Sequence, residues 1–115
     1  MAVRHISSEQ FRQMVWDYST SKDWKFAGTR PAVVDFYASW CGPCRMLSPV
    51  IDSLEAQYAG KVDFYKVDTD SEPELCEVFG IQSIPSLLFC SPSQEPKMTR
   101  GVLPESSLKE IIDSL

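Results

Sequence analysis

Cys41 and Cys44 enclose a Gly-Pro pair, directly after Trp40 and just before a helical stretch. Residues at i and i+3 in a first helical turn share one face. That separation suits the ~5.5–6 Å Cα distance of a disulfide. Such a pair can open and close with little backbone movement. The thiolate is the reactive species, and a helix start offers free N–H groups and a positive dipole end to stabilise it. Cys41 stands at the helix mouth and is read as the attacking thiol. Cys44, one turn in, is read as the resolving thiol and expected to be less exposed. Pro43 fixes φ where a missing N–H loses nothing and so stiffens the pair. Two other chemistries compete. A zinc site needs about four ligands, usually in paired spacings, and the remaining candidates, His5, Cys76 and Cys90, are scattered singly. Two inert thiols are the remaining alternative, disfavoured by the shaped Trp-Cys-Gly-Pro surroundings.

The pair needs a strand before it and a helix after it. Ala32 to Tyr37 (AVVDFY) is a near-continuous apolar run with one carboxylate, Asp35, as in a strand buried on both faces. Leu47, Val50, Ile51, Leu54 and Tyr58 follow helical spacing, predicting a long helix to about Gly60 that Pro49 should kink. Phe11, Met14, Val15 and Tyr18 predict a helix over about 8–19, opened by a Ser7/Gln10 capping box with Ile6 stapled to Phe11. Val62 to Val67 predicts a second strand. Ser71 and Glu74 have capping-box spacing before a short helix ended by Gly80, and Ser86 to Cys90 predicts a third strand. Ser91 to Lys97 reads as a turn and Thr99 to Val102 as a short return strand. Leu108, Ile111, Ile112 and Leu115 predict a final helix from about Pro104. Trp16 and Trp24 read as packing residues, and His5 as solvated and unpartnered. The alternation implies an α/β fold, a central mixed sheet with helices on both faces.

The chain has 115 residues, the size of one domain, 1–115. A net charge of −5 argues against a nucleic-acid binder and against adsorption to anionic membranes. No run approaches the ~20 apolar residues of a membrane span. The first ten residues, MAVRHISSEQ, show no apolar leader core, so the expected compartment is a reducing cytoplasm. Structural disulfides are rare there, and cysteine pairs tend to be catalytic or metal-binding.

WCGPC after VVDFYAS resembles the active site of the thioredoxin family, and VDFYKVDTD and FGIQSIPSLLFC follow in that family's order. The resemblance covers about Ala32 to Leu115 strongly and the first helix loosely. It implies a thioredoxin fold and a protein-disulfide reductase that cycles Cys41 and Cys44 between dithiol and disulfide and maintains cell redox balance. Asp35 would be a buried general acid or base for Cys44, its pKa raised by desolvation. Lys66 would either pair with Asp35 and tune it, or be an ordinary lysine holding its head in water. Pro85 would follow a cis bond and face the cysteines, leaving the backbone of Ile84 free to pair with an extended target segment. Trp40, Gly42, Pro43, Ile84, Pro85, Gly101 and Val102 would form an apolar target-binding patch around Cys41. Cys76 and Cys90 match no active position and read as packing residues. The implied partners are disulfide-containing target proteins and an NADPH-fed thioredoxin reductase, with no bound cofactor or metal; the net charge of −5 and the small size favour a monomer. The hairpin CSPSQEPKMTRG and the long connection before Ala32 depart from the family pattern and leave the sheet edge undefined.

Overall fold

The computed structural model describes residues 3–115; Met1 and Ala2, the start of the stretch read for a leader, lie outside them. Among the described residues five strands and four helices follow one another: β1 (Arg4–His5), α1 (Ser8–Met14), β2 (Ala32–Tyr37), α2 (Gly42–Gln57), β3 (Asp63–Asp68), α3 (Pro73–Phe79), β4 (Ser86–Ser91), β5 (Gln94–Arg100) and α4 (Glu105–Asp113). The strands form one sheet in the order β1-β3-β2-β4-β5. β1 and β2 run parallel to β3, while β4 runs antiparallel to both β2 and β5. This is the mixed sheet expected, with β2 at its centre.

Side chains alternate across a strand, and β2 divides its residues between two cores. Ala32, Val34 and Phe36 pack with Phe11 and Val15 around α1 and with Leu75 of α3. Val33 packs with Leu47, Ile51 and Leu54 of α2 and with Leu108 and Ile112 of α4. Burying the β2 row on both faces is what an apolar run like AVVDFY demands. Asp35 shares the Val33 side of the strand, the side covered by α2. A carboxylate is thereby built into the sheet directly beneath the helix that carries the cysteines.

Several elements differ from expectation. α1 stops at Met14, with Val15 as its C-cap. Asp17 then accepts bonds from the Ser19 amide and hydroxyl, a local turn that competes with further helix. Tyr18 still covers the Phe11 ring, at 6.2 Å between centroids, but from that turn. The Ser71 capping box does not form: Glu72 is the N-cap of α3 without a side-chain cap bond, and its Oε1 accepts from the Ser8 amide of α1 at 2.7 Å. α2 contains Pro49, as expected, but caps at Tyr58, so Gly60 lies beyond the C′ position. β5 begins at Gln94, five residues before the expected return strand. Its register against β4 shifts between Phe89 and Ser91, so Glu95 and Pro96 stand opposite Cys90 alone. A bulge on an edge strand is where a proline is tolerated in a sheet. β1, which carried no expectation, is two exposed residues hydrogen-bonded to β3.

Other expectations hold. The Ser7/Gln10 capping box is complete, and Ile6 and Phe11 share one cluster. Gly80 caps α3 in the left-handed conformation, φ +60°. Trp16 and Trp24 pack against the α1/α3 core with rings 5.3 Å apart. No helix among the described residues is long and apolar enough to cross a membrane.

Candidate active site

Cys41 is the N-cap of α2, with extended backbone, and its Sγ accepts the Cys44 amide at 3.2 Å. Sulfur here takes the place of the Ser or Asp oxygen that usually satisfies the N3 donor. The sequence folds this way because Gly42 and Pro43 occupy N1 and N2, where Pro43 lacks only an N–H that would have no helical partner. The result is a sulfur bonded by an N–H that has no backbone partner in the helix, at the positive end of a sixteen-residue helix. Cys41 and Cys44 are joined as a disulfide across a Cα separation of 5.3 Å, inside the range the spacing implied.

Cys44 is not the less exposed of the two: Cys41 is 4% and Cys44 5% exposed. Surroundings separate them instead. Cys41 Sγ lies 3.8 Å from the Ile84 carbonyl oxygen and is followed by exposed Gly42 and Pro43. Cys44 lines a cleft of about 160 Å³ with Tyr37, Ala38, Ser39, Arg45, Ser48 and Lys66. The pair therefore has one face at Cys41, beside Ile84, Gly42 and Pro43, and another at Cys44, on the cleft shared with Ser48 and Lys66.

The Ile84–Pro85 bond is cis. Pro85 is buried, Ile84 half-buried, and Ile84 packs on the Ala38–Cys41–Cys44 cluster. The Pro85 carbonyl accepts the Gly101 amide at 2.8 Å, and Gly101 has φ +83°, a conformation glycine adopts without a Cβ penalty. This bond carries Val102, 41% exposed, to the same end of the sheet. Trp40 is 66% exposed, with its indole N–H anchored on Asp70 Oδ2 at 2.8 Å.

Asp35 is 2% exposed, and its Oδ1 has no hydrogen-bond partner. Burial pushes its carboxyl up to about 6, against a smaller downward pull from the Lys66 ammonium. Lys66 is the register neighbour of Asp35 but makes no ion pair with it among the described residues. Its Nζ donates to Ser48 Oγ at 2.9 Å and stands 5.3 Å above the Tyr37 ring. Lys66 is thus half-buried and engaged, acting on Asp35 through its field.

His5 is exposed but not unpartnered: Nδ1 is 3.0 Å from the Tyr37 hydroxyl. Cys90 is fully buried and burial pushes its thiol up to about 12; Cys76 is half-buried and its thiol is raised by burial too. Neither carries thiolate at neutral pH, so neither resembles a reactive cysteine. No group of three or more His, Cys, Asp or Glu residues could hold a metal among the described residues. Three residues of the site carried no sequence expectation. Ser48 could have been found from its place four residues after Cys44, on the same helix face. Tyr37 ends the strand that carries Asp35. Asp70 gave no signal, because its partner is thirty residues away.

A parallel–antiparallel sheet with a cysteine disulfide on the N-terminus of its central helix defines a thiol–disulfide oxidoreductase. The thioredoxin family model matches residues 3–114. The chain is 46% identical over 107 residues to thioredoxin of Borreliella burgdorferi, covering 93% of this chain and 92% of that one. It is 36% identical over 112 residues to thioredoxin 1 of Nostoc sp., covering 97% and 95%. Among solved structures, chloroplastic thioredoxin z superposes with a TM-score of 0.83 at 27% identity, over 99% of this chain and 94% of that one. A Malassezia sympodialis thioredoxin superposes at 0.78 and 33% identity, over 98% and 90%. The chain belongs to the thioredoxin family, with Cys41 and Cys44 as its disulfide-forming pair.

Proposed function

We propose that this oxidoreductase works as a general protein-disulfide reductase, acting as a single-domain monomer in the cytoplasm. The observation that carries the reading is Cys41 Sγ at the α2 N-cap, bonded by the Cys44 amide and adjoining exposed Trp40, Gly42 and Pro43. In the dithiol form the Cys41 thiolate attacks one sulfur of a target disulfide. The target S–S bond breaks, a Cys41–target bond forms, and the departing target sulfur takes a proton. Cys44, deprotonated with Asp35 as acceptor, attacks Cys41 Sγ. The mixed disulfide breaks, Cys41–Cys44 forms, and the second target thiolate leaves. Two electrons have passed from the protein to the target. NADPH returns them through a thioredoxin reductase.

Trp40, Gly42, Pro43, Ile84, Pro85, Gly101 and Val102 form the target-binding surface, in which the Ile84 backbone pairs with an extended segment by strand addition. Lys66 adjusts the acidity of Asp35. The Gly-Pro pair supports the reducing direction: no histidine stands between the cysteines to stabilise the thiolate further, a feature that favours oxidants. The test is insulin reduction with a thioredoxin reductase and NADPH. Turnover by the wild type and loss of at least 100-fold in Cys41→Ser are expected (on the order of 10² or more for loss of a nucleophile). Turnover that survives Cys41→Ser would overturn the reading.

A further inference from the structure

Lys66 and Asp35 are register neighbours on β3 and β2 and face the same helix. An ammonium beside a buried carboxylate would ordinarily close into an ion pair. Here it does not: Asp35 Oδ1 has no partner, while Lys66 Nζ donates to Ser48 Oγ at 2.9 Å. Nζ also rests over the Tyr37 ring, 5.3 Å from its centroid, a cation–π contact that supports the same placement. Ser48 lies on α2, one turn after Cys44, and both line the cleft that holds Lys66.

We propose that Ser48 is a positioning residue: its hydroxyl holds the Lys66 ammonium out of ion-pairing range of Asp35, leaving that carboxyl without an ion pair on the face of β2 that α2 covers. The consequence for turnover rests on the reading of Asp35 as the Cys44 proton acceptor. A carboxylate locked in an ion pair is a weaker base, so the Ser48 bond preserves the basicity the resolving step uses. The charged and titratable groups around Asp35 are few. β3 supplies Lys66, β2 supplies Tyr37, and α2 supplies Cys44 and Arg45. The Arg45 guanidinium donates to the Ser39 carbonyl through Nε and Nη2. The β4 register partner of Asp35, Leu87, is uncharged. Asp68 of β3 is close enough to raise Tyr37. Lys66 is therefore the cation that acts on Asp35, pulling it down against the larger rise from burial.

The experiment follows the Asp35 carboxyl carbon by NMR pH titration in the oxidised protein, where Cys41 and Cys44 are joined and do not titrate. In Ser48→Ala, Lys66 loses its acceptor and turns to Asp35, so the midpoint falls by about one pH unit. Ser48→Thr keeps a hydroxyl and keeps the wild-type midpoint. Lys66→Met raises the midpoint, and adding Ser48→Ala to it changes nothing further. A Ser48→Ala midpoint equal to wild type overturns the proposal, as does a fall that persists without Lys66. Alanine is a strong helix former at this mid-helix position, so the variant retains α2. The role of Asp35 is tested separately. If Asp35→Asn resolves mixed disulfides as fast as wild type, Asp35 is not the acceptor, and the effect of Ser48 on the titration still stands or falls alone.

Discussion

Asp35 is where burial and chemistry conflict. A carboxyl at about 6 in the folded chain and about 3.9 when unfolded is protonated over different ranges in the two states. Between pH 4 and 6 the folded chain holds a proton that the unfolded chain has released. Stability therefore falls as pH rises through that window, and the full penalty is present above it. Asp35→Asn removes the charge, so the variant should exceed wild type in stability at pH 7.5 by about 2–3 kcal/mol, with the gap closing toward pH 4. Urea midpoints at both pH values measure this, and a gap independent of pH would contradict it. The same substitution should slow release of a mixed disulfide more than its formation, read as two phases in stopped-flow traces. Equal slowing would remove Asp35 from the resolving step. Asp35 was legible because it is the lone charge in an apolar run and falls where the resembled family places a buried carboxylate. The Lys66–Ser48 bond was not, because it depends on which of two neighbouring acceptors a flexible lysine finds.

At the scale of elements, caps and turns carry the local specificity. Ser7 and Gln10 satisfy two orphan donors of α1, and Ser7→Ala should cost about 1 kcal/mol in denaturant titration. Gly80 takes φ +60° at the end of α3, so Gly80→Ala should also cost about 1 kcal/mol; an unchanged midpoint would show that α3 ends without that conformation. Both features could be read from residue types at fixed spacing. What could not be read was decided by partners far along the chain. Glu72 bonds the start of α1 instead of completing a box with Ser71 and Glu74. β1 has no apolar alternation, because its two exposed residues are held by backbone bonds to β3. Pro96 suggested a turn, whereas an edge bulge lets the strand start before it. Strand existence followed from hydrophobic runs; strand ends followed from pairing.

Across the whole molecule, two cores clamp β2 from opposite faces and fix the end of the sheet where Cys41, Ile84, Pro85 and Gly101 meet. Four cysteines thereby divide into a working pair and two thiols raised by burial. The central claim is that Cys41 attacks and Cys44 resolves. Its most direct test is trapping: each single cysteine-to-serine variant is reduced, mixed with a disulfide-containing target such as insulin, quenched with acid and analysed by intact mass spectrometry. Cys44→Ser should accumulate a covalent mixed disulfide through Cys41, and Cys41→Ser should accumulate none. A mixed disulfide through Cys44 in the Cys41→Ser variant, formed as fast as that in Cys44→Ser, would contradict the account.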